Sequence, residues 1–369
     1  MTEVLLQQLN NNDINWMIAN GRQQQVAAGA VLIQQQSNVD YLYLVLEGTL
    51  SASIKKNQDS ALAGIFAALE DDQDLEQEIT RFSSGEMLGE ISFLNFSPSA
   101  ITVKAEKNSV VLALHSEKLL AILRQDVEFA NRFYRAIAIL LLDRFERLVK
   151  KFTHRQNLQI PPLQDVPLLF GELSDSDVDW LIQNSSLEAI APGDVLIQAG
   201  RALEHLYVLL RGKVSVFAQE DTGNSLARVF TVLEDDDRSG SSPATEIASS
   251  LSGEFIGETA LIDGRLPTYT FKAAEDSQVL AIKKQQLTIK LQQNPGMGAR
   301  FYRVIAMLLS ARLQGLISRL GYGRSSYRVG QALSKNIEYE DEIDLQVMDN
   351  IFLGGARFDW MLKRLKVLS

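Results

Sequence analysis

The sequence predicts a mainly β chain with flanking α-helices, built as two tandem units. Three observations predict this: a duplication, short β-type runs separated by glycine turns in each copy, and a longer helical pattern closing each copy. Asp13-Ile14-Asn15-Trp16-Met17-Ile18-Ala19-Asn20 matches Asp177-Val178-Asp179-Trp180-Leu181-Ile182-Gln183-Asn184 at an offset of 164. The same offset aligns Gly29 through Gln34 with Gly193 through Gln198, and Leu42 through Gly48 with Leu206 through Gly212. After a variable stretch the offset becomes 168. It then aligns Gly89-Glu90 with Gly257-Glu258, and Arg132-Phe133-Tyr134-Arg135 with Arg300-Phe301-Tyr302-Arg303. Matching blocks in constant order mark two homologous domains.

Each unit opens with a short amphipathic helix, around Ile14–Ile18 and Val178–Ile182. Trp16 and Trp180 fall at its apolar phase and read as core. β-type runs follow at Val31–Ile33, Tyr41–Leu46 and Leu50–Ile54 in the first unit. The second unit has Val195–Ile197, Leu206–Leu210 and Val214–Phe217. Glycines at 29, 48, 193 and 212 mark the turns. Strands this short at regular spacing predict a sandwich or barrel. The closing helices follow from Phe129, Phe133, Ile137, Leu140, Leu141 and Leu148, and from Phe301, Ile305, Leu308, Leu309 and Leu313. These fall at helical steps of three and four. The rings of the repeated Arg-Phe-Tyr-Arg element pack on the strands, and its arginines snorkel or pair with acids. The division expected is a first domain over 1–150, a proline-containing linker over 151–168, a second domain over 169–322 and a tail over 323–369. The linker carries Pro161-Pro162 and Pro167, which resist both helix and strand.

Composition narrows the function. The chain has 369 residues and a formal net charge of −10, so its overall field repels phosphate backbone and no nucleic-acid partner is expected. It has no cysteine, which excludes disulfides, thiol nucleophiles and thiolate metal sites, and fits a cytoplasmic protein. His115, His154 and His205 lie far apart and show no ligand spacing, so neither a metal site nor a catalytic triad is expected. The longest plain apolar runs, Ala61–Leu69 and Ala136–Leu142, are far short of the roughly 20 residues a membrane span needs. The N-terminal residues carry no signal-peptide pattern.

The segment Gly85-Glu86-Met87-Leu88-Gly89-Glu90-Ile91-Ser92-Phe93-Leu94, followed by Pro98-Ser99-Ala100-Ile101-Thr102-Val103-Lys104-Ala105, resembles the phosphate-binding cassette of cyclic nucleotide-binding domains. The upstream Gly29 turn and the strand-turn from Tyr43 to Gly48 fit the same family, and the order recurs in the second copy. The resemblance implies two tandem cyclic-nucleotide-binding-like jelly-roll barrels (double-stranded β-helices), each followed by a helix. It also implies how a ligand is held. A short helix offers backbone N–H groups to the cyclic phosphate. The Glu after Gly accepts the ribose 2′-hydroxyl. An Arg directly after Pro pairs with the phosphate through its planar fork. A small residue leaves room, and a Thr or Ser meets the base.

On that pattern the candidate ligand positions are Gly89, Glu90, Ile91, Ser99, Ala100 and Thr102 in the first unit. In the second they are Gly257, Glu258, Thr259, Arg265, Thr268 and Thr270. Both cassettes depart from the pattern. Ser99 and Pro267 stand where the Arg belongs, and Leu266 replaces the Pro. Ile101 and Tyr269 fill the small position. A lost charge-assisted bond weakens binding by about 1.5–3 kcal/mol, roughly one to two decades of affinity. Arg265, two residues before the expected Arg, is the surrogate candidate, and its default reading is a rim arginine facing water. Lys104 and Lys272 are read as outward-facing. Glu90 and Glu258 also have a structural reading, in which the carboxylate holds the loop without ligand.

The stretches 57–84 and 221–252 replace a short hairpin. Each runs from an apolar segment (Ala61–Leu69, Leu226–Leu233) into an acidic one (Glu70–Asp74, Glu234–Asp237). They read as solvated loops, or as an edge that binds a partner or a divalent ion, though the spacing is not that of an EF-hand loop. In the tail, Glu338–Asp344 is acidic, and Phe358, Met361, Leu362, Leu365 and Leu368 form an apolar stripe beside Arg357, Lys363, Arg364 and Lys366. Such a helix docks on a partner, on its own barrels or on a membrane surface, and it is the only membrane contact expected.

The expectation is a non-enzymatic regulatory or scaffold protein acting through protein–protein contacts, with cyclic nucleotide binding weak or lost. It needs no cofactor, cAMP or cGMP being the candidate ligand. Its partners are another protein, or a second copy met through the trailing helices and the tail. The first alternative is a working cAMP or cGMP sensor with a non-standard phosphate contact, in which ligand repositions the trailing helix. The second is a cupin-type metalloenzyme.

Overall fold

The computed structural model describes residues 2–55, 76–152, 167–219, 244–319 and 345–367. The apolar and acidic halves of both insertions, the proline pair of the linker and the acidic part of the tail lie outside the described residues. Unit one runs α1 (Thr2–Gln8), α2 (Asn11–Asn20), β1 (Arg22–Val26), β2 (Val31–Ile33), β3 (Tyr41–Glu47), β4 (Thr49–Lys55), β5 (Glu76–Ser83) and β6 (Met87–Leu88). It continues with α3 (Glu90–Asn95), β7 (Thr102–Ala105), β8 (Ser109–His115), α4 (Ser116–Gln125) and α5 (Val127–Phe152). Unit two repeats the order: α6 (Pro167–Glu172), α7 (Asp175–Gln183), β9 (Ser185–Ile190), β10 (Val195–Ile197), β11 (His205–Arg211), β12 (Val214–Gln219), β13 (Ala244–Ser250) and β14 (Phe255–Ile256). Then come α8 (Glu258–Ile262), β15 (Thr270–Ala273), β16 (Ser277–Lys283), α9 (Lys284–Gln293) and α10 (Pro295–Arg319). The tail contributes α11 (Leu345–Arg364).

Each unit is a pair of four-stranded antiparallel sheets. Unit one has β1-β8-β3-β6 facing β2-β7-β4-β5, and unit two has β9-β16-β11-β14 facing β10-β15-β12-β13. The jelly-roll order is present, and the expected barrel is a sandwich: the two sheets are not joined into one closed ring of strands. The last parts of the two insertions are strand, not loop, because β5 and β13 pair along β4 and β12. Lys151 and Phe152 extend α5 and Pro167 opens α6, so the helices take both ends of the expected linker. Proline suits a first helical position, where its missing N–H has no partner to lose.

Two small cores lie between the sheets, around Leu50, Val103 and Val111 in unit one and Leu209, Val214 and Val279 in unit two. The largest core lies elsewhere. It gathers the trailing helices α5 and α10 of both units, through Phe133, Ile137, Leu141, Phe301, Ile305 and Leu309. The trailing-helix faces therefore pack on each other within one chain. A further cluster sets the ends of these helices (Phe145, Leu148, Leu313, Leu316) against Ile54, Ile79, Val216 and Ile247 of the cassette-side sheets.

The repeated arginines clamp each trailing helix to its unit's second helix, α2 or α7. Arg132 Nε donates to Asp13 at 2.7 Å, and Arg300 Nε to Asp177 at 2.6 Å. The same carboxylates close capping boxes with Asn10 and Ser174. Burial works to raise the Asp177 carboxyl, and the bonds from Arg300 and Ser174 overcome it, holding the group below the ordinary aspartate value.

Candidate functional site

The cassette helices α3 and α8 begin where the sequence places them. Gly89 and Gly257 stand immediately before them with φ of 83° and 94°. A side chain is strained there, and a Cβ on Gly89 would lie 2.8 Å from the Tyr41 carbonyl oxygen. The glycines turn the chain so that Glu90 and Glu258 start the helices with both side chains buried.

Each buried carboxylate meets a guanidinium from its own trailing helix. Arg144 of α5 donates to Glu90 and to the Met87 carbonyl, and lies over the Phe82 ring at 4.8 Å. Arg312 of α10 donates to Glu258, and to Glu254 at 3.4 Å. The two arginines stand 168 apart, the offset of the second half of the duplication. Buried charges need such partners, because an unpaired ion in an apolar interior is strongly disfavoured. Burial works to lower the Arg312 pKa, and Glu258 and Glu254 together outweigh it, so the group is held above its ordinary value.

A second carboxylate supports each cassette from the preceding turn. Glu86 accepts from the Ser83 N–H at 2.6 Å and from Arg147 at 3.3 Å. Glu254 accepts from the Leu251 N–H at 3.0 Å. Gly315 occupies the position matching Arg147, so Glu254 shares Arg312 with Glu258. Burial therefore raises the Glu254 carboxyl, opposed by Arg312 and the Leu251 N–H.

The remaining candidate positions serve the loops. Ser99 is buried, its hydroxyl donating to the Ile101 carbonyl at 2.8 Å. Thr102 accepts from the Gln35 N–H at 3.2 Å and Thr270 from the Ala199 N–H at 3.1 Å, one bond made twice. Ile91, Ala100 and Thr259 are half-buried. Ile101 and Tyr269 pack on the cluster at the trailing-helix ends. Burial foremost, and then Glu146, push the Tyr269 hydroxyl far up. Lys104 and Lys272 are exposed, as expected.

Arg265 is not aimed at its own cassette. It pairs with Asp263 and reaches across to unit one, 3.2 Å from Glu146 and 3.6 Å from Asp143 on α5. Thr268 is exposed and donates to Glu146 at 3.1 Å. The surrogate reading of Arg265 is thus replaced by a cross-unit ion-pair cluster. The opposite crossing is neutral: Asn95, ending α3, donates to Ser310 of α10 at 2.9 Å. Among the described residues no three of His, Asp or Glu gather in a way that could hold a metal.

The tail helix lies on unit two. Phe358 meets Phe170 at 5.1 Å between ring centroids, and Met361 and Leu362 are buried. Of the seats the stripe offered, a membrane, a partner or the chain's own domains, much of it takes the last, covered by the chain's own helices. Among the described residues no helix is long and apolar enough to cross a membrane.

The family model for the cyclic nucleotide-binding domain matches residues 23–126 and 187–294. A cAMP-dependent protein kinase regulatory subunit from Blastocladiella emersonii is 24% identical over 266 residues, 72% of this chain and 51% of that protein. The chain thus spans about half the length of that relative. Among solved structures, the regulatory domain of Toxoplasma gondii protein kinase A with cAMP is 17% identical, with 80% of this chain and 89% of that one covered and a TM-score of 0.28. The regulatory subunit of a cAMP-independent protein kinase A from Trypanosoma brucei is 16% identical, with 80% and 93% covered and a TM-score of 0.27. With two matched segments, the duplicated sandwich and a glycine-led cassette in each half, the chain belongs to the cyclic nucleotide-binding domain family, carrying the domain twice in tandem.

Proposed function

We propose that this chain is a non-enzymatic regulatory or scaffold protein whose two domains act through protein contacts, with cyclic nucleotide binding weakened or lost. One observation carries the reading: both cassette carboxylates are already paired, Glu90 with Arg144 and Glu258 with Arg312. A ribose hydroxyl has to compete with a buried ion pair for the acceptor. At the phosphate position the chain offers Ser99 and Pro267, and Arg265 is held by three carboxylates. A cyclic phosphate then finds no cation at the position where the family pattern places its Arg.

The second reading, a cAMP or cGMP sensor with a non-standard phosphate contact, has one observation in its favour. Each site keeps a buried guanidinium, Arg144 or Arg312, beside the cassette carboxylate. If the ribose displaced it, that guanidinium would be free to meet the phosphate. Thermal melting and Trp fluorescence with cAMP or cGMP at 1 mM, roughly the weak end of binding, separate the two. Ligand at ten times its Kd stabilises the native state by about 1.4 kcal/mol. No shift in melting is the expected result. A saturable shift that disappears in Arg144→Met and Arg312→Met would establish the sensor.

A further inference from the structure

The duplication exposes in unit one what unit two covers. Over unit two, Arg357 of α11 donates to Asp175 at 2.7 Å and to the Phe170 and Gly171 carbonyls at 3.1 and 3.0 Å. Arg364 pairs with Asp179. Asp175, Val178, Asp179 and Ile182 share one face of α7, at helical steps of three and four. Phe170, against which Phe358 of the tail helix packs, is 0% exposed, and so is Val178. The offset of 164 puts Asn11, Ile14, Asn15 and Ile18 on the same face of α2, and Leu6 at the position of Phe170. There Leu6 is 62% and Ile18 61% exposed, and Ile14 is half-buried. Scattered exposed apolar residues are ordinary. Here they stand where the sister unit seats a helix.

We propose that this face of unit one is the seat of an amphipathic helix from a partner protein, one that carries an apolar stripe flanked by uncharged hydrogen-bonding residues. The chemistry of the flanks selects the occupant. In unit two, Asp175 and Asp179 receive the two arginines. In unit one the matching residues are Asn11 and Asn15, both exposed and uncharged. An arginine placed there gains no counter-charge, so the tail helix of a second copy is the poorer fit. Serine, threonine, asparagine or glutamine at those two positions match the amides. The seat goes beyond the cassette reading, and a nucleotide-responsive chain could carry it equally, so the nucleotide and helix experiments fail independently.

The probe is a labelled peptide of residues 345–367 with Arg357→Gln and Arg364→Gln, titrated into the full chain by fluorescence anisotropy. The native tail occupies the unit-two seat, so the peptide reads unit one. Saturable binding at one peptide per chain is expected, weakened at least tenfold by Ile18→Glu, a change at an exposed position. Asn11→Asp with Asn15→Asp should reverse the preference, making the unsubstituted peptide at least tenfold tighter than on the unaltered chain. Absence of binding, or binding indifferent to Ile18→Glu, overturns the proposal. So does concentration-dependent doubling of mass by sedimentation that Ile18→Glu abolishes, since the seat then belongs to a second copy.

Discussion

Removing the Arg144 guanidinium leaves Glu90 buried with no counter-charge, and breaking a buried pair from one side costs about 3–5 kcal/mol. Arg144→Met and Glu90→Gln should each lower stability by roughly that amount in urea unfolding. The double variant should recover much of the loss, because no orphaned charge remains. Equal additive losses would show that the two groups act separately. Glu254 has the opposite sign. Its carboxyl is raised by burial, so its contribution is present below the ordinary glutamate value and is lost as pH rises through the raised one. Glu254→Gln keeps the acceptor for the Leu251 N–H and removes one of the two carboxylate charges that share Arg312. Its melting temperature should equal or exceed that of the parent at pH 7, with the difference vanishing toward pH 4. The carboxylates were legible in the sequence because glycine precedes both. Their partners were missed because Arg144 lies 54 residues downstream of Glu90. The available signal was the recurrence of arginine at 144 and 312, inside stripes of otherwise apolar helix.

The crossing of α5 over α10 depends on a missing side chain. A Cβ on Gly298 would lie 2.4 Å from Asn131 Oδ1 and 2.9 Å from the Leu291 carbonyl oxygen. Helix propensity favours alanine over glycine by about 1 kcal/mol. Overpacking opposes it by about 1–3 kcal/mol, so Gly298→Ala should lower the melting temperature. Asn131→Ala should restore part of the loss by clearing the side-chain clash. The trailing helices were readable because their stripes run through five and six apolar residues. The helices before them, α4 and α9, were not, because each buries only two leucines, Leu119 and Leu123 or Leu287 and Leu291. A two-residue stripe is hard to distinguish from chance. Strands β5 and β13 escaped because their apolar content is low and their order comes from pairing with β4 and β12.

At the scale of the molecule, the sequence predicts two units and a cassette in each, and both are present. It does not reveal that each trailing helix answers to both units. α5 carries Arg144 for its own cassette and Asp143 and Glu146 for the cassette loop of unit two. α10 carries Arg312 for its own and Ser310 for Asn95 of unit one. The contacts that cross between units join residues more than 100 positions apart, beyond the reach of any local pattern. The covalent link between the halves has a thermodynamic consequence. An association between separate chains weakens on dilution, whereas tethered surfaces face each other at a fixed local concentration. The α5–α10 seam therefore holds equally at nanomolar and millimolar protein, and loosening it requires an event within the single molecule rather than a change in its abundance.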